Sequence, residues 1–353
     1  QSNNSIIITS EISGFNNLVT NYKELETNKL YKISNKSNIS YDLKVSSDEL
    51  VSLGDYNHWT LKEIHEQKNI INKITHNGAR IKNNICKLGG LQNHKESILN
   101  CDNIILVGCG TSYNSCLYSH QFFYQLCKFK SIICIDACNF DLKNIPTNSK
   151  NVFLFVSQSG ETKDLYDVLE NVDGIKVGVI NVVDSLIARK TDCGVYLNIG
   201  KEMSVASTKV FMAQSLILIL IALYLCNDNI LVEKYINDIR RLEDIIDIEL
   251  NKELDIQDIN NGFILAKNNL FPIALEASLK FKEITYSHIE ALSTNSLKHG
   301  PLALVSDDNF INIILGNNDT VKQEILARNG KIIEIILNYD NIFNDLIYIV
   351  HLQ

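Results

Sequence analysis

The sequence predicts an α/β protein: two tandem doubly wound domains, each a parallel sheet covered by helices, preceded by a short β-rich segment. Three observations carry this. Short, wholly apolar runs, of which residues 152–156 are the clearest, read as strands buried on both faces. Stretches with helical periodicity alternate with them, which implies parallel sheets with helices on either side. Finally, the strand-like runs recur in two halves with matching spacing, Ile104 to Val152 and Phe263 to Ile311 each lying 48 positions apart, the mark of a duplicated unit.

Taken along the chain, residues 1–50 fall outside the repeat, and their alternating runs 5–9 and 29–34 read as strands. The first half, residues 51–230, has its strands at 104–107, 152–156, 177–182 and 195–199, with a further apolar run at 131–135. The apolar stretch 215–226 is too short to cross a bilayer, which takes about 20 residues, and reads as a buried helix. Residues 231–252, with Ile236, Ile239, Leu242 and Ile246 at helix spacing, connect the halves. The second half runs to 353, with strands expected at 263–265, 311–315, 332–336 and 347–350 and a helix over 272–292. It stops without a counterpart to the loop and apolar helix that close the first half.

Composition narrows the function. In 353 residues, 45% hydrophobic and 21% charged content is ordinary for a globular protein with a substantial core. A net charge of -8 with no Lys/Arg-rich block argues against a nucleic-acid surface. The nine cysteines, odd in number and without a Cys-x-x-Cys pair, read as reduced thiols of a cytoplasmic protein, mostly small core residues. The N-terminus lacks the order of a signal peptide, and neither a membrane partner nor a metal is expected.

Candidate chemistry lies at strand ends. Ser157-Gln158-Ser159-Gly160-Glu161-Thr162 directly follows the 152–156 run and opens an amphipathic stretch, so it sets hydroxyls beside unpaired N–H groups at the positive end of a helix dipole. That is an anion site, and a capped helix start is the plainer alternative. Gly108-Cys109-Gly110-Thr111-Ser112 is a second such turn. A dinucleotide reading, with Asp136 on the ribose, fails because Tyr113 stands where the third glycine belongs. The loop 202–209 supplies Ser204, Ser207 and Thr208 at another strand end of the same half. In the second half, Glu276, Lys280, Glu283, Ser287 and Glu290 recur at steps of four and three, where carboxylate and ammonium groups on one helix face touch. A solvated stripe of that kind stabilises little, well under ~1 kcal/mol per pair. Beside a sugar, a Glu held by a Lys is what proton transfer between adjacent carbons requires. Lys298-His299-Gly300-Pro301 fixes an imidazole in a rigid turn.

Residues 62–67, 109–112, 157–162, 205–209, 276–283 and 297–304, in this order and spacing, resemble the isomerase half of glutamine:fructose-6-phosphate aminotransferase, a pair of SIS (sugar isomerase) domains of flavodoxin-like fold. The resemblance covers roughly residues 54–353. It implies conversion of fructose 6-phosphate and ammonia to glucosamine 6-phosphate in the hexosamine pathway, with no cofactor. Glucose 6-phosphate is a further expected ligand. It assigns substrate binding to Cys109, Gly110, Thr111, Ser112, Ser157, Gln158, Ser159, Thr162, Val205 and Ser207. Glu283 would move the proton between C1 and C2 with Lys280 nearby, and His299, reaching in from a second subunit of a homodimer, would assist ring opening. Residues 1–50 resemble the last strands of the family's glutaminase domain. That domain, the source of the ammonia, and the tail whose lysine forms a Schiff base with the ketose are expected to lie outside this chain, which reads as a fragment. Ala266-Lys267-Asn268 departs from the family's Gly-Arg-Gly, and Ala277 stands where glycine is usual. The competing class is a non-catalytic SIS module that senses sugar phosphates; it needs the hydroxyl loops but has no use for Glu283 and His299.

Overall fold

A computed structural model describes residues 52–250, 252, 260–306 and 310–352, together with a few isolated positions before 52. The chain divides into two compact units, Gln1–Ser52 and Leu53–Gln353. In the first, Asn21–Tyr22 pairs antiparallel with Asp42–Leu43. The expected strands at 5–9 and 29–34 lie mostly outside the described residues.

The second unit opens with two short helices, α1 (Trp59–His65) and α2 (Ile70–Ile74), and a third, α3 (Lys95–Leu99). The first sheet follows: β1 (Asn103–Gly108), β2 (Ser131–Asp136), β3 (Asn151–Ser157), β4 (Ile175–Ile180) and β5 (Cys193–Tyr196). All neighbours are parallel, in the order β2-β1-β3-β4-β5. Every residue of β1 and β3 is buried, which is why these central strands appear as unbroken apolar runs. Helices α4 (Thr111–Leu126), α5 (Lys163–Asn171), α6 (Leu186–Lys190) and α7 (Lys209–Leu225) cover the sheet. All but one residue of α7 is buried, so its uniform hydrophobicity marks a core helix packed on α4. Among the described residues no helix is long and apolar enough to cross a membrane.

The connector is α8 (Asn229–Leu250), burying Ile236, Ile239, Leu242 and Ile246 as the spacing predicts. The second sheet comprises β6 (Asn261–Ala266), β7 (His288–Ser293), β8 (Phe310–Leu315) and β9 (Lys331–Ile335), parallel in the order β7-β6-β8-β9. This repeats the first four strands of the first sheet, so the duplication is real at the level of topology. Helices α9 (Phe271–Thr285), α10 (Asp319–Leu326) and α11 (Asn344–Leu352) accompany it. One hydrophobic cluster runs through both halves, from Ile104 and Leu216 to Ile264, Ala274 and Ile347, with α4 packed against α9.

Two expectations are corrected here. The helix over 272–292 ends at Thr285, because Tyr286 turns into the left-handed region at φ 58°, and Ser287 to Glu290 leave the helical stripe. His288 and Glu290 lie in β7, the counterpart of β2. The run 347–350 is not a fourth strand but part of α11, which packs on α8 and α9. The second half therefore does not simply stop after its strands: it closes with a helix against α9, as α7 closes the first half against α4.

Candidate active site

In a doubly wound sheet the ligand crevice lies beyond the carboxyl ends of the strands, where strand order reverses. In the first sheet that point falls between β1 and β3, which pair directly. The turns leaving these two strands are the two hydroxyl-rich segments. Gly110, at φ 54°, caps α4, so Thr111 and Ser112 form its first turn. Ser157 ends β3, and Thr162 caps α5. The backbone N–H of Gly160 donates to Ser157 Oγ at 2.9 Å, that of Glu161 donates to Ser159 Oγ at 3.1 Å, and the hydroxyls of Ser157 and Thr162 are 3.4 Å apart. Gly160 sits at φ 69°, and a Cβ there would come within 2.0 Å of Ser185 Oγ; the turn closes only because this residue is glycine. Gln158 lies in the same turn, where its carbonyl accepts from the N–H of Asn181 at 3.3 Å.

Two of the predicted residues of the β1 turn have further partners. Ser112 Oγ accepts from Gln214 Nε2 of α7 at 2.9 Å. Thr111 Oγ1 donates to Glu276 Oε1 of α9 at 3.0 Å and accepts from Lys280 Nζ at 3.2 Å. The first residue of the phosphate-type helix is thereby bonded to the charged stripe of the other half. That stripe is not solvated: Glu276 and Lys280 are buried, and only Glu283 reaches the surface. Lys280 Nζ lies 2.6 Å from Glu283 Oε2 and 3.5 Å from Glu276 Oε1. Burial raises the pKa of Glu276 above the usual carboxylate range, against the opposing pull of Lys280, Asn114 Nδ2 at 2.8 Å and Thr111. The cluster amounts to a buried ammonium shared between two carboxylates, one of them open to a ligand.

The loop between β5 and α7 is tied down from α1. Glu63 accepts the backbone N–H of Met203 at 2.5 Å and of Ser204 at 3.2 Å, and also the Ser204 hydroxyl. Lys209 Nζ, buried, bonds Glu66 Oε2 at 2.5 Å and the carbonyl of Lys201 at 2.9 Å. Two carboxylates of the 62–67 motif thus hold this loop. The hold leaves Val205 almost fully exposed, at 98%, with Ser207 half-buried. Burial pushes Glu202 up to about 7; the N–H of Thr208 and nearby Ser207 and Lys209 resist this, and the Glu63 charge adds to it.

His299 is exposed at the end of the turn Thr294–His299, and among the described residues it is not hydrogen-bonded to Lys280 or Glu283. Glu276, Asn114 and Gln214 were not among the predicted site residues. Their signals are modest: Glu276 heads the stripe, and Gln214 is an amide in an otherwise apolar helix. Cys109, expected at the substrate, has its thiol beside Cys138 and Asp136, all three donor atoms falling within 4.8 Å of one another.

A model of the SIS domain matches residues 97–224. The whole chain is 34% identical to the probable glutamine–fructose-6-phosphate aminotransferase (isomerizing) of Acanthamoeba polyphaga mimivirus, covering 62% of it. Over 79% of the chain, identity to the Rattus norvegicus glutamine–fructose-6-phosphate aminotransferase (isomerizing) 1 is also 34%, covering 44% of that protein. The C-terminal domain of the Francisella tularensis glucosamine-fructose-6-phosphate aminotransferase superposes with a TM-score of 0.77 at 27% identity, over 86% of this chain and 95% of that one. The chain is therefore similar along its length to glutamine–fructose-6-phosphate aminotransferases. It spans about half the length of the curated relatives it matches, and its fold fits the C-terminal domain of such a protein. A glucosamine-6-phosphate deaminase of Thermotoga maritima, at 22% identity and TM-score 0.65, shares the fold. Where the resemblance leads one to expect Gly-Arg-Gly, this chain reads Ala266-Lys267-Asn268, and Asn268 adopts φ 49°, a conformation that asparagine tolerates in place of glycine.

Proposed function

We propose that this chain carries the sugar-phosphate isomerase activity of the aminotransferase, binding fructose 6-phosphate and, with ammonia delivered by a glutaminase domain, forming glucosamine 6-phosphate. The observation that carries the reading is the bond network from Thr111 to Glu276, Lys280 and Glu283, which joins the helix start of a phosphate-type turn to an acid/base pair on the other half.

The residues divide the work by position. The Ser157 to Thr162 turn and the start of α4 cradle the phosphate with hydroxyls and backbone N–H groups. Glu283, partly exposed, removes a proton from one carbon and returns it to the neighbour, C1 and C2 exchanging it in turn. Lys280 orients Glu283 through their 2.6 Å ion pair. Glu276, buried behind Lys280, fixes the ammonium. Val205 and Ser207 meet the sugar from the tethered loop. His299, exposed, is the residue suited to reach the site of a second copy in a homodimer, where it assists ring opening.

A sensing module without chemistry is the weaker reading, because sugar-phosphate binding does not call for a lysine buried between two carboxylates. The test is fructose 6-phosphate in deuterated water: the chain is expected to incorporate solvent deuterium at C1 or C2, and an intact chain that binds the sugar phosphate without exchange is a sensor.

A further inference from the structure

Beside the phosphate-type turns lies a second cluster with a different chemistry. Gly108 and Asp136 pair across parallel β1 and β2, so the residues that follow these strands emerge side by side. Cys109 comes from the first, and Asp136 and Cys138 from the second. Their two sulfurs and a carboxylate oxygen lie within 4.8 Å of one another. Cys138 Sγ also donates to Asp164 Oδ2 of α5 at 3.6 Å, which brings a second carboxylate to the group. Asp136 is held in place by the N–H of Cys138 at 3.2 Å and Asn139 Nδ2 at 3.3 Å. Each carboxylate oxygen keeps a lone pair after such a bond.

Two sulfurs and two oxygens match the ligand number and types of a tetrahedral zinc site. Metal–sulfur bonds of about 2.3 Å and metal–oxygen bonds of about 2.0–2.2 Å put neighbouring donors roughly 3.4–3.8 Å apart, so small rotations of Cys109, Asp136 and Cys138 close three donors on an ion, with Asp164 approaching as the fourth from the side of Cys138. Cys138 is exposed and gives access from solvent.

We propose that Cys109, Cys138, Asp136 and Asp164 form a site for one thiophilic divalent cation of the zinc class. Binding forms two metal–sulfur bonds and releases the two thiol protons to solvent. The site lies one residue from Gly110, so a bound ion would fix the turn that opens α4.

Co²⁺ alone, added to the reduced chain, is the probe. A thiolate-to-cobalt charge-transfer band is expected to saturate at one equivalent and to disappear on addition of Zn²⁺. Cys138→Ser, at an exposed position, and Asp164→Asn, on the surface of α5, are each expected to weaken binding, the serine variant by more than ~10-fold, since losing even a hydrogen-bond partner of a metal ligand costs that much. Cys101→Ser, at the opposite end of β1, is expected to bind as the parent does. Absence of the band, unchanged affinity in either ligand variant, or loss of binding in Cys101→Ser overturns the assignment.

Discussion

The two halves share strand order and differ at the strand ends. In the first, the turns after β1 and β3 read Cys109-Gly110-Thr111-Ser112 and Ser157-Gln158-Ser159-Gly160-Glu161-Thr162. In the second, the turns after β6 and β8 read Lys267-Asn268-Asn269-Leu270 and Gly316-Asn317-Asn318-Asp319-Thr320. One half offers hydroxyls around two helix starts. The other replaces them with amides and charge, Lys267 Nζ bonding Asn318 Oδ1 at 3.2 Å, and carries its Glu276–Lys280–Glu283 cluster on α9 instead. On the function proposed above, the duplicated scaffold is divided into a binding half and a reacting half, as expected when function resides in loops and single side chains rather than in the fold.

The division can be broken most severely at the seam. Lys280→Met leaves Glu276 buried without its cation and is expected to cost about 3–5 kcal/mol of stability, read by denaturant unfolding. A loss within about 1 kcal/mol would mean that Glu276 is protonated and the pair is not ionic. Gly160→Ala follows, because the new Cβ collides with Ser185 at an unfavourable φ. A cost of about 1–3 kcal/mol is expected, together with loss of hexose 6-phosphate binding. Next comes a pair of threonines, one from the corresponding turn of each half. Thr162→Ala is expected to weaken hexose 6-phosphate binding about 10-fold, the scale of one hydrogen bond to a charged group, whereas Thr320→Ala leaves it unchanged. Equal losses by calorimetry would erase the distinction between the halves.

A pH dependence is expected from Glu202 as well. Glu202, raised from the ordinary 4.5 to about 7 in the fold, binds more protons folded than unfolded between those values. Stability is therefore expected to fall as pH rises from about 4.5 to about 7, and Glu202→Gln to flatten that part of the melting-temperature profile.

The first half was legible because its central strands are buried on both faces and its turns carry their chemistry in consecutive residues. The second half misled at two places for physical reasons. Tyr286 ends α9 in a left-handed conformation without a glycine to announce it, so the apolar spacing ran on through β7. The apolar run in α11 is too short to separate strand from helix by periodicity, and packing on α8 and α9 decides it. In the site, the Lys280–Glu283 contact follows from a spacing of three. The bond from Thr111 to Glu276 spans 165 positions, and Cys109 meets Cys138 only through strand pairing; neither pattern is local, so neither is written in a motif.

The central claim is that one half binds and the other reacts. Solvent-deuterium exchange into fructose 6-phosphate, followed over a full range of sugar concentration in Thr162→Ala and Glu283→Gln, tests it most directly. Thr162→Ala is expected to need more substrate yet reach nearly the parent rate at saturation. Glu283→Gln is expected to bind as the parent does while exchange falls about 10²–10⁴-fold. Exchange in Glu283→Gln at the parent rate, or a collapse of saturated exchange in Thr162→Ala, would contradict it.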